Sequence, residues 1–122
     1  MSHISAKEVK RKRTKIKNEF PDFKFSITKV KNIGIRVLIL TAPFNMIVRE
    51  HICKYEIVNS YYIENMYKNY PQIMNILLRI KNIIYEGHDD IVDYLYIGIG
   101  EYNTPFTIKE KPKKQKNIDK IR

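Results

Sequence analysis

The fold is decided by residues 4–30, which have the sequence ISAKEVKRKRTKIKNEFPDFKFSITKV. Ser5 followed three residues later by Glu8 is the pattern of a capping box, in which the serine hydroxyl accepts from the Glu8 backbone N–H and the Glu8 carboxylate reaches back to Ser5. Pro21 disfavours a helical conformation at the residue before it. The stretch therefore predicts a helix that begins after Ser5 and ends before Pro21.

This predicted helix has one apolar stripe and an otherwise basic surface. The stripe is formed by residues at helical spacing, namely Ala6, Val9, Ile16 and Phe20. Arg13 interrupts the stripe, so its guanidinium either reaches the helix edge or is directed at a phosphate or carboxylate. The remaining surface is expected to carry Lys7, Lys10, Arg11, Lys12, Lys15 and Lys17.

A strand and a β-hairpin are predicted after the helix. Apolar residues alternate with polar ones at Phe23, Phe25 and Ile27, which is typical of a strand with one buried face. Gly34 or Asn32 provides a residue that tolerates positive φ in the hairpin turn. Residues 35–41 are apolar on both faces, which predicts a central strand, and Pro43 ends it.

The middle of the chain is less regular. The spacing of Phe44, Ile47, Val48 and Ile52 predicts a short second helix over residues 45–54. Residues 55–70 fit either a strand or a helix, with a slight preference for a short strand or extended loop around residues 57–63. Both alternatives stay open at this point.

A long core helix is predicted to begin at Pro71 and to be capped at its end by Gly87. Its apolar face consists of Ile73, Ile76, Leu77, Ile80, Ile83 and Ile84. Residues 91–99 then predict a strand, and residues 106–108 predict a last one that pairs back.

Together these elements predict an α+β fold in a single compact domain over residues 1–108. A small antiparallel sheet of three or four strands is expected to pack against the N-terminal basic helix and the long core helix. Residues 109–122, KEKPKKQKNIDKIR, combine high charge with few apolar residues, and this composition predicts a disordered basic tail.

The net charge of +10 is concentrated at the two ends of the chain. Residues 1–24 hold eight Lys or Arg against three acidic residues, and residues 109–122 hold seven against two, whereas the charges between them cancel. An AT-rich genome raises the lysine content but does not explain a neutral middle. The distribution indicates a polyanionic partner, either nucleic acid or a nucleoprotein. The candidate binding residues are Lys7, Lys10, Arg11, Lys12, Arg13, Lys15, Lys17, Lys111, Lys113, Lys114 and Lys116.

Composition also argues against several other classes of protein. No apolar run reaches the roughly 20 residues of a membrane span, and no apolar signal region follows the charged N-terminus. Cys53 is the single cysteine, which leaves no internal disulfide and fits a reducing cytosol. We expect neither a membrane partner, nor a small-molecule substrate, nor a cofactor.

Catalytic motifs are weak. Gly98 and Gly100 flank one residue after a predicted strand, but a third glycine and a following helix are missing, so turn chemistry explains them better than a phosphate loop. His51 and Cys53 are two residues apart and would point to different sides of the predicted helix, which argues against a nucleophile and base pair.

One acidic cluster has the chemistry of a metal site. It consists of His88, Asp89, Asp90 and Asp93. A short acidic turn after a helix is more often a solvated connection, and no second ligand group is visible. We therefore predict that the protein is not an enzyme, with a small nuclease that uses Asp89, Asp90 and Asp93 as the alternative.

Nine tyrosines offer either base-stacking platforms or interface contacts. Most are expected to bury the ring beside the core and keep the hydroxyl wet. The better surface candidates are Tyr61, Tyr62, Tyr94, Tyr96 and Tyr102.

The N-terminal third of the chain resembles one of the large polyvalent protein associated domains, small modules in the giant polyproteins of phages and conjugative elements. The matching features are the Ile-Ser-Ala-Lys-Glu-Val start, the basic helix, Phe20-Pro21 and Lys24-Phe25-Ser26. Thr41-Ala42-Pro43 stands where that family has a turn ending in proline, whereas the family's Trp and Asp-Gly are absent. The resemblance implies an origin in a phage or mobile element, a role around transferred DNA or host defence, and no catalytic residues.

These observations lead to two functional predictions. The first is a non-enzymatic inhibitor that binds a host nucleic-acid-guided defence complex, such as a CRISPR effector ribonucleoprotein, in the cytoplasm of a bacterial host. The alternative is a general DNA- or RNA-binding accessory or regulatory protein of a mobile element, whose partner is free nucleic acid.

Overall fold

The computed structural model describes residues 5–31, 34–48, 55–86 and 94–109. These residues form three helices and five strands. In chain order they are α1 (Ala6–Glu19), β1 (Lys24–Val30), β2 (Gly34–Ala42), β3 (Glu56–Val58), α2 (Ile63–Met66), α3 (Pro71–Tyr85), β4 (Tyr94–Ile99) and β5 (Thr107–Ile108). The predicted α+β class, with an N-terminal helix and a core helix, is confirmed.

Helix α1 begins and ends where the sequence predicts. The extended backbone of Ser5 (φ −85°, ψ 160°) lets its hydroxyl accept a hydrogen bond from the Glu8 backbone N–H, at 3.1 Å. At the other end, the Phe20 ring packs edge-on against Phe25 with ring centroids 6.2 Å apart. This aromatic contact fixes the short connection between α1 and β1.

The sheet is mixed, in the order β1-β2-β4-β3, with β5 also paired to β2. β1 and β2 form the predicted antiparallel hairpin, and β3 is antiparallel to β4. β2, however, runs parallel to both β4 and β5. The prediction of three or four antiparallel strands is wrong in these details, because β2 pairs with β4 across the long connection that contains β3, α2 and α3, and this connection returns the chain in the direction of β2.

Central strand β2 is covered on both faces, as its apolar sequence predicts. Ile35, Val37 and Ile39 are fully buried. On the other face Leu38 lies opposite Gly98 of β4, and a Cβ at that glycine would come within 3.0 Å of Leu38 Cδ2. A side chain at position 98 would therefore crowd the Leu38 side chain, which would have to shift by a few tenths of an ångström.

The helices cover one face of the sheet. α1 packs against β1 and α3. The buried residues of α3 are five of its six predicted core positions, Ile73, Leu77, Ile80, Ile83 and Ile84, and Ile76 is half-buried. The predicted cap at Gly87 lies outside the described residues, as does Asn32. None of the described helices is long and apolar enough to cross a membrane.

The predicted helix over residues 45–54 is wrong at residues 45–48, which have no helical structure. Asn45 Oδ1 accepts from Ile47 N at 3.0 Å, which closes a local turn, and Glu56 Oε1 accepts from Val48 N at 3.3 Å, which ties the segment to β3. Residues 49–54, including His51 and Cys53, lie outside the described part of the chain.

Residues 55–70, for which both alternatives stay open in the sequence, contain a strand and then a helical turn. β3 confirms the preference for a strand near residue 57. The apolar pattern would bury Ile57 and expose its neighbour Glu56, but the structure shows the opposite. Glu56 is only 3% exposed, whereas Ile57 is 59% exposed. Tyr67, which is fully buried, donates its phenol hydrogen to Glu56 Oε2 at 2.5 Å, so the buried carboxylate has a partner that the local sequence does not reveal.

Candidate polyanion-binding surface

Four basic side chains of α1 lie on one exposed face of the helix. At about 100° per residue, they fall within an arc of about 120°, roughly opposite the buried Val9 and Ile16. All four are exposed. We call this set the α1 basic stripe, and its members are Lys7, Lys10, Arg11 and Lys17. It extends over about 15 Å of helix, a length along which a nucleic-acid duplex presents several phosphates.

The α1 basic stripe carries little neutralising charge. Within the described ranges, no carboxylate forms an ion pair with Lys7, Lys10 or Lys17. Arg11 lies 3.8 Å from the Glu8 carboxylate, but its side chain is 65% exposed. A surface ion pair at that distance contributes little, so the stripe keeps most of its positive potential.

Lys12 does not belong to this exposed surface, and its assignment there is wrong. It is 3% exposed, and its ammonium donates to the Ile83 carbonyl at 3.2 Å and to the Glu86 carbonyl at 3.1 Å. Burial is the main cause that lowers the pKa of Lys12, followed by the neighbouring Arg11. The sequence signal for this burial is spacing. Lys12 follows Val9 by three residues and precedes Ile16 by four, and residues at these spacings lie on the same face of a helix.

Lys15 is likewise engaged by α3. Its ammonium binds the Glu86 carboxylate, and the hydrogen bond lowers the pKa of Glu86. Close by, Arg79 forms a two-bond pair with Glu19, with Nε to Oε2 at 2.5 Å and Nη2 to Oε1 at 2.9 Å. The side of α1 that faces α3 is therefore occupied by internal ion pairs.

Arg13 holds α1 on the sheet. Its Nε donates to the Ile27 carbonyl of β1 at 3.1 Å, and the side chain is half-buried. Of the two roles predicted for Arg13, reaching the helix edge is the one that the geometry shows, with a backbone carbonyl as the acceptor.

The α1 basic stripe adjoins β1, an edge strand of the described sheet. Lys17 and Lys10 lie about 40° and 60° around the helix from Arg13, on the side away from α3. Strand β1 and its turn carry two further exposed lysines, Lys24 and Lys31. Lys24 alternates with the buried Phe25 and Ile27, so it belongs to the sheet face away from α1 and does not extend the stripe.

Several predicted residues lie outside the described part of the chain. In the tail these are Lys111, Lys113, Lys114 and Lys116, and in the acidic cluster they are His88, Asp89, Asp90 and Asp93. Among the residues that the structure does describe, no group of three or more His, Cys, Asp or Glu side chains is placed to hold a metal ion.

The five tyrosines predicted to lie at the surface differ in how exposed they are. Tyr61, Tyr62 and Tyr102 are exposed as predicted. Tyr96 is half-buried beneath Arg36, whose guanidinium carbon lies 5.2 Å from the ring centroid. The side chain of Tyr94 lies outside the described part of the structure.

Fold and surface together define a small α+β protein with an exposed cationic helix face. Comparisons with family models, curated proteins and solved structures find no match. The resemblance of the N-terminal third to a large polyvalent protein associated domain therefore stays a prediction.

Proposed function

We propose that this protein acts by binding, without catalysis, and that its target is a host nucleic-acid-guided defence complex, of which a CRISPR effector ribonucleoprotein is the leading case. The α1 basic stripe contacts phosphates of that complex and thereby inhibits it in the cytoplasm of a bacterial host. One observation carries the proposal: the cations of α1 that face α3 and β1 are engaged internally, whereas Lys7, Lys10, Arg11 and Lys17 share an exposed face.

The cations of α1 fall into an internally bound group and an exposed group, and this separation favours a docking surface over a merely solvated one. Lys12, Lys15 and Arg13 fix the helix at three points on α3 and β1. The exposed cations are thus presented from a helix whose position and rotation are set, which reduces the ordering cost of docking. Contact with phosphates would release counterions from the nucleic acid and add a favourable, salt-sensitive free energy.

A defence complex is the favoured target because of the N-terminal resemblance. The modules that the chain resembles belong to phages and conjugative elements, whose stand-alone small proteins need to counter host defence. A basic protein would engage the guide RNA or the target-strand path of such a complex rather than imitate DNA.

Pull-down with purified effector complexes tests the proposal. The protein should be retained by at least one complex loaded with guide RNA, and retention should fall when the guide RNA is omitted or digested. The loaded complex should also lose target cleavage when the protein is added. Failure to bind any complex would reject this function.

A general nucleic-acid-binding role is the second candidate. The α1 basic stripe itself favours this role, because phosphate contacts from exposed cations require neither a particular sequence nor a particular complex. This role predicts that the isolated protein binds free RNA or DNA, with a log–log salt slope of about −3 to −4 for four phosphate contacts on a duplex. Binding to a loaded complex but not to free nucleic acid would separate the first role from the second.

A further inference from the structure

A second surface lies at the sheet edge opposite to α1, where β3 and β4 meet the following turn. A groove of about 500 Å³ opens there. Its lining includes Ile57, Asn59, Ser60, Tyr61, Leu95 and Tyr96. Because the strand order is β1-β2-β4-β3, this groove and the α1 basic stripe lie at opposite edges of the sheet.

Tyr61 presents its ring to solvent from a fixed turn. The side chain is 79% exposed. Its backbone is held from both sides, because Asn59 Oδ1 accepts from Tyr61 N at 3.0 Å and Lys81 Nζ donates to the Ser60 carbonyl at 2.8 Å. The same Lys81 ammonium lies 5.7 Å from the centroid of the Tyr61 ring. The cation thus lies over one face of the ring, and the high exposure of the side chain leaves the other face open to solvent.

Tyr96 forms the other side of the groove. Arg36, its partner across the β2–β4 ladder, lies over the ring and donates to Glu101 Oε1 at 2.7 Å. The Tyr96 phenol oxygen comes within 3.4 Å of where a Cβ on Gly98 would lie, so the absence of a side chain at Gly98 gives the ring room along β4. Ile57, opposite Gly98 on β3, adds an exposed apolar side chain on the same face.

The charges and rings of the groove fit one kind of occupant. Three charged residues contact the lining without belonging to it: Arg36 is paired with Glu101, and Lys81, which lies against Ser60 and Tyr61, leaves an excess of one positive charge beside exposed aromatic carbon. Single-stranded nucleic acid combines the matching groups, because its unpaired bases offer flat faces for stacking and its phosphates meet cations. A duplex does not fit in this way, because its bases are already stacked on one another.

We propose that this groove binds a single-stranded segment of nucleic acid, with one base stacked on Tyr61 and an adjacent phosphate at Lys81. The inference rests on the proposed function in one respect, namely that the partner contains nucleic acid. It adds a preference for unpaired strands that the α1 basic stripe alone cannot provide, since phosphate contacts do not distinguish stacked from unstacked bases.

Fluorescence anisotropy with labelled strands of about 12 nucleotides tests the groove. The probes are oligo(dT), oligo(U), an abasic strand with the same number of phosphates, and a duplex. Tyr61→Ala and Tyr61→Leu should each weaken oligo(dT) or oligo(U) binding by about fivefold or more, because neither offers an aromatic face. Two control variants should keep an affinity for these strands within about twofold of wild type. Tyr61→Phe keeps the ring, and Tyr102→Ala removes a tyrosine that is 78% exposed but lies outside the groove lining.

The abasic strand and the duplex separate stacking from charge. Neither should respond to Tyr61→Ala, whereas Lys10→Glu combined with Lys17→Glu should weaken all four probes. The DNA and RNA strands show which source of unpaired bases is preferred. Three results would each overturn the groove proposal. Tyr61→Ala could bind oligo(dT) and oligo(U) as tightly as wild type does, it could lose as much affinity for the abasic strand as for these two, or the wild type could fail to bind single strands. If the same preparations are still retained by a loaded defence complex, the proposed function stands even when the groove proposal fails. If only that retention is lost while the groove results hold, the proposed function is rejected and the groove proposal stands.

Discussion

The Lys12 ammonium donates to the Ile83 carbonyl at 3.2 Å, so that a lysine of the first helix binds the C-terminal end of α3, 71 residues further along the chain. The Glu86 carbonyl accepts a second hydrogen bond from the same ammonium. A helix C-terminus carries partial negative charge on its last carbonyls, which a cation stabilises, and the ammonium adds a second donor to the Ile83 carbonyl, which also accepts from Glu86 N at 3.3 Å. Lys12 is therefore a structural residue in the middle of a basic helix.

Replacement of this ammonium should destabilise the fold. Lys12→Met keeps most of the aliphatic stem but removes the donor of two hydrogen bonds, and we expect a loss of about 1–2 kcal/mol in the free energy of unfolding. Urea denaturation followed by circular dichroism measures it. Lys10→Met, on the exposed face, is the control and should change stability by less than about 0.5 kcal/mol. Equal stability of the two variants would contradict the structural role of Lys12.

The pair of Arg79 and Glu19 should make stability depend on pH in the acid range. The hydrogen bond from Arg79 is the main cause that lowers the pKa of Glu19 below its ordinary value of 4.5. A carboxylate whose pKa is lowered by folding adds stability that is present above pH 4.5 and is lost as the pH falls through the folded-state value. Wild type should therefore exceed Arg79→Met in stability at neutral pH, and the two urea midpoints should converge in acid. A difference that is constant with pH would count against the pair.

The buried contact between Tyr67 and Glu56 should be costly to break. Tyr67→Phe preserves the ring but removes the hydroxyl that donates to the 3%-exposed carboxylate. Loss of a donor to a buried charged acceptor should lower the free energy of unfolding by about 1–3 kcal/mol. Tyr61→Phe, which removes a hydroxyl from an exposed tyrosine, serves as the matched control in the same thermal or urea melts. A Tyr67→Phe protein as stable as this control would show that the contact contributes nothing.

The elements that the sequence predicts well are those specified by neighbouring residues. Ser5 and Pro21 bracket α1, and Pro71 with its apolar spacing marks α3. The parallel pairing of β2 with β4 depends instead on where a crossover returns the chain, which no local pattern records. The segment at residues 45–48 also depends on a contact outside the local pattern, because Val48 N donates to Glu56 Oε1 eight residues further along the chain.

The candidate site was predictable in part. The basic character of α1 follows directly from its sequence, and the spacing of Val9, Lys12 and Ile16 indicates that Lys12 lies on the buried face. Engagement of Lys15 by Glu86 is different, because it depends on how α1 packs against α3 and has no local signal.

Binding to a guide-loaded defence complex by two variants of equal net charge tests the central claim most directly. One variant is Lys10→Glu with Lys17→Glu on the α1 basic stripe. The other combines Asn65→Asp, Lys68→Glu and Gln72→Glu, which change the charge by the same amount at exposed positions outside α1 and the tail. If the stripe is the docking surface, the first variant should lose about tenfold or more in affinity, whereas the second should stay close to wild type. Equal losses in both variants, or no loss in the first, would contradict the account.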